Sequence, residues 1–318
     1  MDVARLQLLR ELRDRGSITA VADALRRSPS AVSQQLKVLE REAGVPLTEP
    51  SGRGLALTSA GRALARTADE LATAIERAEA EWDEFRAHPL GTVTMRIFPS
   101  AGQMLLPGLL TAVTATPGLE LSVADLDFND DDVSDQTADA DVVVVDSPGV
   151  EPAWSQRGLA IAPLLREPLD VALPEGHPLG RKAALAPEDV VGETWIGVPH
   201  MQPFDRILRD IEVITGTAVH RSQRISDNGI VETLVAAGHG LAILPRFTTR
   251  DRENGLITRP LLGVRASRLI SALMRPDRAQ RPSVRAVVEA LRSEAERFAL
   301  EHAVAPVAEP GGRGVPAL

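Results

Sequence analysis

The sequence predicts an α/β protein in three successive parts: an all-α winged helix-turn-helix, one long helix, and a two-lobed α/β region. Three observations predict it. Apolar residues recur at helical spacing between capping residues up to Gly44, a heptad stripe runs from Leu64 to Phe85, and strand-like apolar runs alternate with helical patterns beyond Gly91. The length, 318 residues, suits two or three domains. Hydrophobic residues at 44% and charged residues at 25% exclude collagen-like, coiled-coil-only and disordered chains. Cysteine is absent, which removes disulfides, thiolate metal sites and a cysteine nucleophile together. The start lacks a basic region leading into an apolar stretch, and no segment approaches roughly 18 uninterrupted apolar residues. Neither export nor membrane insertion is expected, and a cytoplasmic location is.

The first helix is expected from Leu6, Leu9 and Leu12, and the second from Ile18, Val21, Ala22 and Leu25, with Gly16-Ser17 between them. Ser28-Pro29 supplies an N-cap and a first-turn proline for a third, whose buried face is Val32, Leu36, Leu39 and Ala43 before the stop at Gly44. Three short helices with tight turns read as helix-turn-helix. The stretch Glu49 to Thr58, with Gly52 and Gly54 flanking Arg53, reads as a two-stranded wing. From Ser59 the stripe Leu64, Ala68, Leu71, Ile75, Ala78, Trp82 and Phe85 alternates steps of four and three, the pattern of a helix that pairs with a second copy. A helix packed only on its own domain is the plainer alternative. His88-Pro89-Leu90-Gly91 ends it.

Beyond that point strands are expected at 92–98, 119–126, 142–145, 169–173, 194–198, 219–225 and 241–244. Helices are expected at 101–115, 203–215, 227–237 and 282–300. Continuous apolar strands alternating with helices imply parallel sheets covered by helices. The Pro- and Gly-containing end, 306–318, is expected to be a tail without fixed structure.

Charge is distributed unevenly. Residues 1–66 hold 11 Arg and Lys against 7 Asp and Glu, whereas residues 89–318 hold 22 against 30. A basic front on an acidic chain is the electrostatic footprint of a polyanion-binding head. The polar side of the third helix carries Ser30, Ser33, Gln34, Lys37 and Arg41 with no acid among them. Hydroxyls and an amide suit base edges and cations suit phosphates or guanine, which is what a helix in a major groove needs. The competing explanation is a solvated surface helix.

These residues resemble the LysR-type transcriptional regulators over almost the whole chain. The resemblance is carried by Gly16-Ser17-Ile18-Thr19-Ala20-Val21-Ala22-Asp23-Ala24-Leu25, by Ser28-Pro29-Ser30-Ala31-Val32-Ser33-Gln34-Gln35-Leu36, by Leu39-Glu40, Gly44 and Leu47, and by Leu57-Thr58-Ser59-Ala60-Gly61. Gly176-His177-Pro178-Leu179 and the run Val235 to Pro245 extend it into the back half. One departure is Leu47-Thr48-Glu49-Pro50, where the family has Leu-Phe followed shortly by Arg, so Arg53 is the substitute wing contact. The resemblance implies a DNA-binding domain at 1–58, a dimerising linker helix at 59–88, and an effector-binding domain at 91–305 resembling periplasmic binding proteins. Its lobes are placed at 91–166 plus 266–305 and at 167–265, joined by crossing strands near Leu165–Pro168 and Gly263–Ala266. Partners so implied are double-stranded promoter DNA with a partly palindromic site, a small-molecule effector such as a carboxylate or amino acid, and further copies as a homodimer or homotetramer. RNA polymerase is a further candidate partner.

Ser28, Pro29, Ser30, Ser33, Gln34, Lys37 and Arg53 match the family's DNA-reading region. In the effector cleft the matching positions are Ser100, Met201 and Gln202. Ala101, His200 and Asn228 lie at the same kind of strand-to-helix junction, where free N–H groups favour an anion. Phe128 and Phe247 are looser candidates for that cleft. For each, helix capping or core packing competes with ligand contact. The acids Asp130-Asp131-Asp132 and Asp146 leave the effector's charge open.

No cofactor, metal or catalytic residue is expected. The six histidines (His88, His177, His200, His220, His239, His302) are dispersed, no Gly-x-Ser-x-Gly elbow occurs, and Gly238-His239-Gly240 falls short of a dinucleotide fingerprint. An enzyme is therefore the weaker class. A transport solute receptor is opposed by the DNA-reading head, and a DNA binder without effector control stays open.

Overall fold

The computed structural model describes residues 1–51, 54–85, 91–127, 133–199, 203–250 and 255–302. At the front lie α1 (Val3–Arg15), α2 (Ile18–Ala24) and α3 (Pro29–Ala43), followed by the hairpin β1 (Thr48–Ser51) and β2 (Gly54–Leu57). Each helix starts where its sequence supplies a cap. The side chains of Asp2, Ser17 and Ser28 accept from Ala4, Ala20 and Ala31 N–H respectively, and Gly16 and Gly44 end α1 and α3 in left-handed conformation. Leu9, Leu12, Val21, Ala22, Val32 and Leu39 form a fully buried core beneath α3. Glu40 ties α3 to the wing, its Oε1 accepting from Leu47 N–H (2.9 Å), Thr48 N–H (3.0 Å) and the Thr48 hydroxyl (2.9 Å). A Cβ on Gly61 would lie 2.0 Å from Leu47 O, so only glycine permits this approach of linker helix to wing.

The linker helix α4 (Ser59–Phe85) leads to β3 (Gly91–Ile97), α5 (Pro99–Thr114), β4 (Leu119–Asp125), β5 (Val142–Ser147), α6 (Pro152–Gln156) and β6 (Ala160–Pro174). There follow α7 (Pro187–Val190), β7 (Thr194–Gly197), α8 (Pro203–Thr215), β8 (His220–Arg224), α9 (Asn228–Ala236), β9 (Ala242–Pro245), β10 (Leu256–Pro260), β11 (Ser267–Met274) and α10 (Pro282–Glu301). One sheet runs β10-β6-β11-β5-β3-β4, with β9 beside β6, and a smaller one pairs β7 with β8. Two cores result. The first gathers Val142 to Val145, Leu105, Leu109, Val287 and Leu291 between sheet, α5 and α10; the second surrounds the fully buried Trp195 with Ile207, Leu208 and Ile211 of α8.

The sheets are mixed, which corrects the all-parallel expectation. Pairings β3–β4, β3–β5 and β7–β8 are parallel, but β11 runs antiparallel to β5 and β6, and β6 antiparallel to β9 and β10. An apolar run reports burial on both faces and carries no information on direction. The crossing also differs in detail. β6 is one strand of 15 residues, pairing with β11 in its first part and with β9 and β10 in its second. Gly263–Ala266 is irregular, and the second crossing strand begins at Ser267.

The helix-turn-helix head docks on the first lobe through charged groups. Arg275 donates to Glu11 (2.9 Å), Arg10 bridges Asp69 (2.7 Å) and Asp277 (2.9 Å), and Arg15 reaches Asp139 (2.8 Å) and Ala138 O (3.2 Å). Arg10, Glu11 and Arg275 are all buried. Burial alone would push Glu11 up, but Arg275 and Arg15 hold it below the ordinary 4.5. Asp277 is likewise held below 3.8 by Arg275 and Arg10 against its burial.

Candidate nucleic-acid interface and ligand cleft

On α3 the residues Ser30, Gln34, Lys37 and Arg41 are exposed and Ser33 is half-buried, while Val32, Leu36 and Leu39 anchor the opposite side in the core. The head docks through α1 and α4, so this polar face stays open. Ser28 is already engaged as N-cap, accepting from Ala31 N–H at 3.2 Å and sharing a hydrogen bond with the Ser30 hydroxyl at 3.1 Å. Pro29 opens the helix, and its ring fixes the first turn. Arg53 lies outside the described residues, as do Phe128, His200, Met201 and Gln202.

A cavity of about 820 Å³ opens between the two lobes, lined by Ser100, Asp146, Phe204, Ser226, Asn228 and Arg268 among others. That volume falls in the range of small-molecule sites. Arg268 forms its floor. Its Nη2 donates to the Ser100 hydroxyl (2.8 Å) and to Glu167 Oε2 (2.6 Å), its Nε to the same oxygen (2.8 Å), and its Nη1 to Asp146 (3.4 Å). The guanidinium lies 4.9 Å from the ring centre of Phe98 and 5.4 Å from that of Phe204. Burial pushes Glu167 above its ordinary 4.5, with Asp146 adding to the rise and Arg268 opposing it. Glu167 Oε1 also accepts from Phe247 N–H at 3.1 Å.

Two of the expected cleft residues are placed elsewhere by their packing. The Phe247 ring turns from the cavity to pack on Phe298 of α10 (5.5 Å between centres) and on His302 just past its end (4.9 Å), because a ring gains more there than in a polar cleft. Ala101 is fully buried in the first core and gives the cleft no side chain. Ser100 and Asn228 do line the cavity. Asp227 caps α9, accepting from Ile230 N–H at 2.9 Å, whereas the N-cap of α5, Phe98, offers no side-chain acceptor. Sequence reasoning missed Arg268 and Glu167. The available signal was a charged residue interrupting an otherwise apolar strand, as Arg268 interrupts Ser267–Met274.

Among the described residues no group of three metal-ligating side chains converges, and no helix is long and apolar enough to cross a membrane.

Comparison with known proteins agrees with this geometry. Residues 3–62 match the family model described as "Bacterial regulatory helix-turn-helix protein, lysR family", and residues 86–296 match "LysR substrate binding domain". The transcriptional regulator MetR of Salmonella typhimurium is 26% identical over 98% of this chain and 99% of its own length. A probable RuBisCO transcriptional regulator of Synechocystis is 24% identical over 86% of this chain and 81% of its own. Among solved structures, full-length OxyR from Pseudomonas aeruginosa superposes with a TM-score of 0.60 at 18% identity, covering 92% of this chain and 98% of that one. CbnR bound to its target DNA superposes with a TM-score of 0.51 at 22% identity, covering 93% and 100%. The chain belongs to the LysR-type transcriptional regulators, a family of DNA-binding regulators with an effector-binding domain rather than of enzymes.

Proposed function

We propose that two α3 helices, presented by a dimer or tetramer, read a partly palindromic promoter site, and that a small molecule between the lobes changes the spacing or affinity of that reading. The observation that carries this is the exposed, acid-free face of α3 on a head docked by its other side. Gln34 makes a bidentate contact to adenine, Lys37 reaches guanine or phosphate, and Ser30 and Ser33 contact base or backbone. Ser28, Pro29 and the wing's Arg53 hold backbone. The domain and lobe limits stay as read from the sequence, with the head at 1–58, the linker at 59–88 and the lobes meeting at 166–167 and 265–266. Assembly proceeds through the apolar seam of α4, in the cytoplasm where promoter DNA is found.

The effector carries a carboxylate, an amino group or both. The uncapped N-terminus of α5 and Arg268 suit the former, and Asp146 suits the latter. His200, Met201, Gln202 and Phe128, which lie outside the described residues, are kept in this reading as candidate effector contacts. A ligand acts only as far as it prefers one lobe arrangement, so its effect equals its differential affinity. The test is a footprint on the native promoter with a panel of amino acids and carboxylates. Gln34→Ala is expected to relax base preference by about 1–3 kcal/mol at its position, and Lys37→Ala to weaken all duplexes alike if it holds phosphate. Equal losses on operator and random duplex from Gln34→Ala would overturn the assignment of α3 as reader.

A further inference from the structure

A second cavity, about 810 Å³, lies far from the interlobe cleft, between the outer face of α4 and the first lobe. Its walls come from both bodies: Arg66, Thr73 and Arg77 on α4, and Ala138, Arg157 and Leu159 on the lobe. Six arginines and four carboxylates line it. Three of the carboxylates are already matched. Asp14 is held by Arg13 (2.7 Å), Asp69 by Arg10 (2.7 Å), and Asp135 by Arg157. Arg66 and Arg77 have no carboxylate partner among the described residues, and Arg62 only donates to Leu57 O (2.6 Å). Against the exposed Glu70, the cavity therefore keeps a surplus of positive charge.

The position of this face on α4 matters. At roughly 100° per residue, Arg62, Arg66, Thr73 and Arg77 share one side of the helix. The stripe of Leu71, Ile75, Ala78 and Trp82 lies on the opposite side, about 180° away. Pairing of two chains through that stripe leaves the arginine face uncovered. We propose that this cavity binds a multiply charged small anion, held by Arg66 and Arg77 of the linker helix together with Arg157 of the lobe. Three helical turns separate the two linker arginines, which favours an elongated anion over a compact monovalent one. A cavity of this volume admits a small molecule and excludes a duplex, whose approach from the lobe side is closed by Ser155 to Leu159. An occupant bridges head and lobe, and so biases the angle at which the DNA-reading helices are held.

The experiment is calorimetric titration of the full-length protein, without DNA, using inorganic tripolyphosphate in one arm and citrate in the other. Saturable binding of one anion per chain is expected, with the tighter arm identifying the phosphate or carboxylate source. Arg66→Ala with Arg77→Ala, both at exposed positions, is expected to weaken that binding tenfold or more without moving the melting temperature. Lys37→Ala with Arg41→Ala, on the reading helix, should leave anion affinity within twofold. Loss of anion binding in the α3 variant but not in the α4 variant would overturn the proposal, since the anion then merely occupies the DNA-reading face. So would an absence of saturable binding in both arms at low ionic strength. A third overturning result is an α4 variant that loses random-duplex affinity as much as the α3 variant does, which would assign Arg66 and Arg77 to the DNA backbone.

Discussion

Replacing Arg268 by methionine isolates the cost of the charged cleft floor. Methionine keeps an apolar stem against Phe98 and Phe204, so the main loss is the counter-charge of Glu167. That carboxylate has no solvent exposure and would retain only the Phe247 N–H at 3.1 Å. Breaking a buried pair costs about 3–5 kcal/mol while the remaining group stays charged. Glu167 has an escape, however, because it can take up a proton. Relative to an unfolded value of 4.5, protonation costs about 1.36 kcal/mol per pH unit, hence a ceiling of about 3.4 kcal/mol at pH 7 and about 0.7 kcal/mol at pH 5. The sign follows from linkage. The variant's folded state binds a proton that its unfolded state has released, so stability falls as pH rises above 4.5. Urea unfolding of wild type and variant from pH 5 to pH 8 measures the difference, and adding Glu167→Gln should abolish its pH slope. A loss of equal size at pH 5 and pH 7 would refute the reasoning.

Two further outcomes follow from the same structure. Leu71, Ile75 and Trp82 are 38%, 37% and 61% exposed, so under the proposed pairing through α4, Leu71→Asp with Ile75→Asp should leave only monomer in analytical ultracentrifugation while keeping the melting of the isolated chain within a few degrees. The head–lobe contact should be lost in acid. Glu11 and Asp277 are held below their ordinary values of 4.5 and 3.8, so their stabilisation is present above those values and disappears as pH falls through the depressed ones. Limited proteolysis between head and lobe should therefore accelerate below about pH 4 in wild type. An unchanged cleavage rate there would count against the contact.

The head was legible in the sequence because its signals are local. Caps, stops and apolar periodicity lie within 60 residues, and each acts over a turn or two of helix. Even the departure at Thr48 has a local reason, since its hydroxyl fills the acceptor capacity of Glu40. The cleft was half legible. Ser100 and Asn228 follow from strand-to-helix junctions, but Arg268 and Glu167 meet across 101 residues, and nothing near either announces the other. Likewise nothing local to α1 marks Arg10 and Glu11 for burial under Asp277 and Arg275, and Phe247 reads as cleft until α10 supplies Phe298. What escaped is long-range pairing of charges, which leaves no periodic trace.

The two charged clusters that escaped lie at opposite ends of one strand. Arg268 at the start of β11 holds the cleft floor, and Arg275, one residue past its end, holds α1 of the head. Seven residues at about 3.3 Å each put them about 23 Å apart. The strand between them is fixed by β5 on one side and β6 on the other, so it transmits a shift as a unit rather than absorbing it. A ligand that competes for Arg268 thus has a short mechanical route to the helix-turn-helix. Spatial continuity alone does not establish coupling, whereas a double-mutant cycle does. If β11 carries the signal, Arg268→Met and Arg275→Met should each change operator affinity, and the pair should depart from additivity by at least about 0.5 kcal/mol. Strict additivity in an operator-binding assay would mean that cleft and head communicate by another route, through α4 or through the contact of Arg15 with Asp139 and Ala138.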